Sequence, residues 1–173
     1  MNEITKKKER NNLKESNKQF GLLLKISLII GILIVSGFIT YYVLNPEPGY
    51  VSFGILNEDE KAENYPTSAT LNETIFFYTY VGNYLNRDFS FQVKIKKGNN
   101  QTLLSSRAQS NGTLVYTIGV FTLSHNDDWT SLLLNVSFSE LGENQIIIVE
   151  LWQIKNNIEE YFNNAWMRLN ITN

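Results

Sequence analysis

The one imidazole of the chain lies in His125-Asn126-Asp127-Asp128, where it has two carboxylates within three positions. A histidine next to a carboxylate is the pairing that activates a serine nucleophile, and it is also a common start to a metal site. A triad here would rest on that single histidine, and no G-x-S-x-G nucleophile elbow occurs in the sequence. The segment therefore reads as a solvated loop. Asn57-Glu58-Asp59-Glu60 and Asn126-Asp127-Asp128 offer oxygen ligands for Ca²⁺, yet both lack the alternating D-x-D-x-D-G spacing that wraps one ion. Glu143 and Glu150 have the residue type for a glycosidase carboxylate pair, but the expectation for both is a surface position on a β-module. No catalytic residue, metal or cofactor is expected.

Asparagine chemistry is more conspicuous. Asn72, Asn100, Asn111, Asn135 and Asn170 each begin an Asn-x-Ser/Thr acceptor sequence for N-glycosylation. In a stretch this rich in Asn, Ser and Thr, chance would supply roughly three, so the excess is mild. All five lie in the second, larger part of the chain.

What must position these residues follows from hydropathy and charge. Residues 26–44, ISLIIGILIVSGFITYYVL, carry no charge, and at about 1.5 Å per residue they span a bilayer core of about 30 Å. The run exceeds the apolar region of a signal peptide and ends in Tyr-Tyr-Val-Leu-Asn-Pro rather than a small-x-small cleavage site, which favours an uncleaved anchor. We place the helix at residues 20–44, with Lys25 reaching the headgroups at one end and Tyr41 and Tyr42 in the interface at the other. Ser27 and Gly31 form a small-xxx-small pair of the kind common in such helices. Lys6, Lys7, Lys8, Arg10, Lys14, Lys18 and Lys25 precede the span, whereas Glu47, Glu58, Asp59, Glu60 and Glu63 follow it. The positive-inside rule then makes the N-terminus cytoplasmic and the rest extracytoplasmic. Residues 1–19 read as a disordered basic tail.

Residues 45–49, with Pro46 and Pro48, are a stiff linker, and residues 50–173 form one domain long enough for its own core. The first 44 residues are net positive by about four and the remainder net negative by about six; the acidic exterior argues against a phosphate-binding groove, and no nucleic-acid partner is expected. Without cysteine, stability must come from packing.

The domain reads as strands. Residues 50–56, 74–81, 89–96, 113–123, 131–138, 145–152 and 165–171 combine β-branched and aromatic residues, with turn signals at Gly98-Asn-Asn100, Asn111-Gly112 and Asn126-Asp-Asp128. In 89–96 the apolar Phe89, Phe91, Val93 and Ile95 alternate with Ser90, Gln92, Lys94 and Lys96, the pattern of a strand buried on one face. In 131–138, Leu132, Leu134, Val136 and Phe138 point inward and Asn135 outward. The nearly continuous apolar run 145–152 predicts a central strand, and Phe76, Phe77, Tyr78 and Tyr80 predict core and rim. Ile158, Tyr161 and Phe162 predict a short helical cap over 156–164. The sum is an all-β domain: an immunoglobulin-like antiparallel sandwich of about seven strands after one transmembrane helix.

Phe53-Gly-Ile-Leu56, Lys61-Ala-Glu63-Asn64-Tyr65-Pro66-Thr67, Glu143-Asn144-Gln145 and Trp166-Met-Arg-Leu-Asn-Ile-Thr172 together resemble the external domain of an archaeal membrane-protein family, "domain of unknown function sixteen-sixteen". The likeness covers most of residues 50–172 and is most specific at Lys61–Thr67. It implies an archaeal cell-surface β-sandwich and no established activity. Many members carry several membrane helices before this domain, whereas one is expected here. In Lys61, Glu63, Asn64, Tyr65 and Pro66 we see a candidate interaction loop, in which proline holds Tyr65 extended over the sheet edge and the charged residues stay solvated.

Two functional classes follow. One is a non-enzymatic, membrane-anchored surface module that contacts the bilayer and a membrane protein, envelope protein or glycan. It predicts an exposed apolar or aromatic patch and no convergent polar cleft. The other is an accessory domain of a membrane enzyme complex, or a hydrolase, in which His125, Asp127 and Asp128 converge in a pocket.

Overall fold

The computed structural model describes the backbone of residues 3–44 and 48–173, with side chains from Lys14 onward. The tail side chains Lys6, Lys7, Lys8 and Arg10 and linker residues 45–47 lie outside the described residues. The chain divides into two units, residues 1–47 and 48–173.

The first unit contains one helix, α1, Glu3–Leu44. It continues through the segment expected to be a disordered tail. Lys, Glu, Arg and Leu are strong helix formers, and a helix already nucleated on the apolar span extends at no further nucleation cost. Its stretch Lys14–Leu44 is long and apolar enough to cross a membrane, and none of the apolar window is buried against protein.

The second unit is built of nine strands: β1 Val51–Leu56, β2 Ser68–Thr70, β3 Thr74–Asn83, β4 Phe89–Gly98, β5 Thr113–Leu123, β6 Asp128–Thr130, β7 Leu134–Ser137, β8 Gly142–Lys155 and β9 Ile158–Thr172. One sheet runs β1-β3-β6 with β7 also on β3; the other runs β2-β9-β8-β4-β5. A single apolar core lies between the two sheets. Ile55, Ile75, Phe77 and Val81 from the first meet Phe91, Val93, Ile95, Val149, Leu151 and Leu169 from the second. Trp129 of β6 closes the side by packing on Phe91 and Phe121, with ring centroids 5.6 and 4.6 Å away.

Several expectations are corrected. There are nine strands rather than about seven, because β2 and β6 have three residues each and carry no usable periodicity. The domain is not wholly antiparallel: β2 pairs with β9 in parallel, Ser68 opposite Asn170. The helical cap over 156–164 is absent. Asn156 and Asn157 have φ of 53° and 63°, the two left-handed residues of a type I′ hairpin turn, and Lys155 pairs directly with Ile158. Leu132 is 88% exposed because strand pairing begins only at Leu134. β8 is central, between β9 and β4, as its apolar run predicts. β4 does bury Phe89, Phe91, Val93 and Ile95, but Gln92 and Lys96 on its other face are buried too.

Candidate interaction surface

The second face of β4 and β8 is covered by the 99–112 loop, which joins β4 to β5. Beneath it lie Ile146, Ile148 and Glu150, all at 0% exposure. Glu150, expected at the surface, is thus one of the most deeply buried side chains. Its Oε1 accepts from the Ser110 backbone N–H at 2.7 Å, the Ser110 hydroxyl at 2.7 Å and Lys96 Nζ at 3.1 Å. Its Oε2 accepts from Trp152 Nε1 at 3.1 Å and lies 3.0 Å from Lys96 Nζ. Lys96 also donates to the Ser110 carbonyl at 3.0 Å. A buried carboxylate is tolerated only when paired and bonded on both oxygens, and here both are. The cluster fastens Ser110, and hence the loop, to the sheet. Tyr161 OH and Asn164 Nδ2 hold the loop's other limb through the Ser105 carbonyl at 2.7 and 3.0 Å. Burial, then the nearby Glu150 charge, pushes the Tyr161 phenol up to about 12. The one mark of Glu150 in the sequence is that it stands as a lone carboxylate in an otherwise apolar central strand, which does not by itself give its depth.

Next to this face, Lys94 Nζ sits 3.9 Å above the Trp152 ring and 2.6 Å from Glu159 Oε2. Hydrogen bonding by Lys94 is the leading cause holding the Glu159 carboxyl below the usual range. Trp166 on β9 is 49% exposed, the kind of aromatic surface expected of a binding module.

The residues 57–66 form a tightly organised loop whose hub is Asn57, expected from the sequence only as an oxygen ligand for Ca²⁺. Asn57 Oδ1 accepts from the backbone N–H groups of Asp59 at 3.0 Å and Lys61 at 2.9 Å, and Nδ2 donates to the Glu63 carbonyl at 2.9 Å. Glu60 and Asn64 turn the chain at φ of 59° and 53°. Tyr65 packs on the core and its hydroxyl donates to the Ile55 carbonyl at 2.6 Å; burial raises its pKa. Lys61, Glu63 and Asn64 are exposed, and Pro66 is half-buried.

Between this loop and the β2–β3 turn lies a cleft of about 330 Å³. Asn57, Glu58, Asp59, Asn64, Pro66 and Glu73 line it, over a floor that includes Ile75 and Phe76. Phe76 is 36% exposed there. Glu73 Oε2 accepts from the Thr70 N–H at 2.6 Å and the Thr70 hydroxyl at 2.9 Å, which lowers its carboxyl pKa. The volume falls in the range of small ligand sites. Three carboxylates beside an exposed ring form a polar cleft, a departure from the patch-only surface expected of a binding module.

His125, Asp127 and Asp128 are all exposed. His125 Nδ1 accepts from the Asn86 backbone N–H at 3.1 Å, so the imidazole braces the β3–β4 connection. Among the described residues no group of three or more His, Asp or Glu is placed to hold a metal ion. The sequon asparagines Asn72, Asn100, Asn111, Asn135 and Asn170 are all exposed.

No protein-family model matches the chain, and no curated protein matches it. Among solved structures, the CARDB domain of the PF1109 protein from Pyrococcus furiosus, in complex with di-metal ions, has a TM-score of 0.46 and 14% identity, covering 73% of this chain and 90% of that one. The C-terminal domain of wzt has a TM-score of 0.46 and 13% identity, with 74% and 80% covered. The PmoD soluble domain from Methylocystis sp. ATCC 49242 (Rockwell) has a TM-score of 0.36 and 10% identity, with 70% and 90% covered. No ligand or activity is carried from them to this chain.

Proposed function

We propose that this chain is a single-pass, membrane-anchored surface module with a cytoplasmic N-terminus. Its immunoglobulin-like β-domain binds a partner without catalysis, in the cleft beside the 57–66 loop. The observation that carries this reading is the cleft itself. It brings Asn64 and Pro66 of the candidate interaction loop together with Glu58, Asp59, Glu73 and the half-exposed Phe76 ring. Carboxylates over an apolar floor fit a cationic side chain with an aliphatic stem, such as a lysine or arginine presented by a membrane or envelope protein. The resemblance to the archaeal external-domain family supports the same region, since its most specific stretch, Lys61–Thr67, borders the cleft. The hydrolase alternative loses its footing where His125 braces a loop and lines no cavity described above.

Crosslinking and affinity purification of the intact membrane protein, followed by mass spectrometry, tests this. A stoichiometric partner retained by the native chain should be lost from a Glu58→Gln, Asp59→Asn, Glu73→Gln triple variant and retained by Glu143→Gln. Equal recovery with the triple variant, folded by circular dichroism, would overturn the cleft as the binding site.

A further inference from the structure

The strand order places all five sequons at one end of the β-domain. The other end is marked by the start of β1: Val51 pairs with Asn83 at the end of β3. The β3–β4 connection, the β5–β6 connection and the β8–β9 hairpin lie at that end too, since Phe89 pairs with Leu123 and Lys155 with Ile158. The opposite end holds the first residues of β3, β5 and β8 and the last of β4 and β9. Asn72 is in the turn before β3, and Asn100 and Asn111 lie on the 99–112 loop. Asn135 pairs with Phe76 near the start of β3, and Asn170 pairs with Ser68 near the end of β9.

Turn chemistry accounts for only part of them: Asn72 has φ of 62° and Asn100 lies inside the Asn99–Thr102 turn. Among the described residues, seven of the eight non-glycine residues at positive φ are asparagines, the residue type that tolerates this backbone, but Asn72 is the one sequon asparagine among these. Asn72, Asn100 and Asn135 make no side-chain hydrogen bond among the described residues. Asn111 and Asn170 use only Oδ1, accepting from the N–H groups of Leu103 at 2.8 Å and Asn144 at 3.0 Å. An amide glycosylated on Nδ2 keeps its carbonyl, so those two bonds survive modification.

We propose that this end is a glycan-bearing cap, with N-linked oligosaccharide on Asn72, Asn100, Asn111, Asn135 and Asn170. The inference rests on the extracytoplasmic placement proposed above. In the reaction, Nδ2 bonds to the C1 carbon of a lipid-linked oligosaccharide. The C1–O bond to the carrier phosphate breaks, the amide loses a proton, and the phosphorylated lipid departs. The Glu150–Ser110 anchor presents Asn100 and Asn111 on a fixed loop. Asn72 stands next to Glu73, so its glycan borders the cleft and restricts entry to slender, extended partner segments.

The test uses the full chain in membranes of a host that N-glycosylates external proteins, with a flexible acceptor tag appended after Asn173, and only chains whose tag is modified are analysed. Peptides are treated with an amidase that converts each glycosylated Asn to Asp and read by mass spectrometry; protease protection separately reports the side on which the domain lies. The expected result is modification at native sites, each abolished by its own Asn→Gln change. A modified tag with all five native sites bare would overturn the cap and leave the anchored-module reading standing. A domain protected on the cytoplasmic side would overturn both.

Discussion

Glu150 and Lys96 form an ion pair from which water is excluded, with the remaining valences taken up by Ser110 and Trp152. Such a pair adds little net stability over an apolar filling, but removing one partner strands the other. Glu150→Ala leaves the Lys96 ammonium buried and should cost about 3–5 kcal/mol. The loss is read as a lowered denaturant midpoint, with faster proteolysis within the 99–112 loop; Lys96→Met with Glu150→Leu should recover much of it. A pH effect belongs to Tyr161. Its folded pKa of about 12 lies above the unfolded value of 10.0, so the folded state holds its proton more tightly. Stability from this group is complete below the unfolded value and declines as pH rises from there toward about 12. Phenolate absorbance should show a late-titrating tyrosine that Tyr161→Phe removes. Hydrogen bonding to Tyr84 and burial hold Tyr80 at about 12 as well, so late titration should diminish rather than vanish in that variant. Sequence alone does not give the depth of Glu150, because a carboxylate on a strand reads as solvent-facing unless one knows that a loop covers that face. The hub role of Asn57 was equally hidden, as its partners are backbone groups rather than a residue pattern.

At the scale of elements, alternation located β4 and a continuous apolar run located β8, while the first half of β9 was missed and pattern failed where the ladder departs from regularity. Between Phe91/Val93 and Ile95/Lys96 the β4–β5 pairing slips, β5 contributing an extra residue each time. Such bulges turn side chains out of phase, which is why Val115 and Val120 are exposed at 39% and 62% in a strand of apolar composition. The hairpin was misread for a different reason: Ile158, Tyr161 and Phe162 have helical spacing, but two successive asparagines at positive φ fix a I′ turn and hold the following residues in the ladder. Asn157→Ala, which must occupy the left-handed region with a Cβ and no local polar compensation, should cost about 1–2 kcal/mol. Asn157→Gly should be neutral or better. Unfolding curves of the two variants decide whether the turn or the β8–β9 ladder carries the hairpin. Gly112 makes a second test. A Cβ there would come within 2.9 Å of the Lys97 carbonyl and 3.0 Å of Ile148 Cδ1. Gly112→Ala should therefore destabilise by about 1–3 kcal/mol through overpacking.

Over the whole chain, opposite charges and two separate units divide the work. The β-domain contains its own core and needs no residue of the helix to complete it. A fragment of residues 48–173 should unfold in one cooperative transition and stay in the supernatant when membranes are pelleted, whereas the full chain should sediment with them and resist carbonate extraction. Release of the full chain by carbonate, or its recovery without residues 1–44, would instead identify the apolar helix as a cleaved signal or a loosely held segment. The proposed orientation rests on the lysines and Arg10 on one flank, with Glu58, Asp59, Glu60 and Glu63 beyond the other. Because acidic residues contribute little to topology, the basic flank should decide it. Changing Lys6, Lys7, Lys8, Arg10, Lys14 and Lys18 to glutamine should produce a mixed population in which part of the β-domain becomes accessible from the cytoplasm. Neutralising Glu58, Asp59, Glu60 and Glu63 should leave orientation unchanged while altering partner capture at the cleft. The two sets thus separate placement in the membrane from binding, and a reversal of these outcomes would break the proposed division between a basic anchor and an acidic recognition surface.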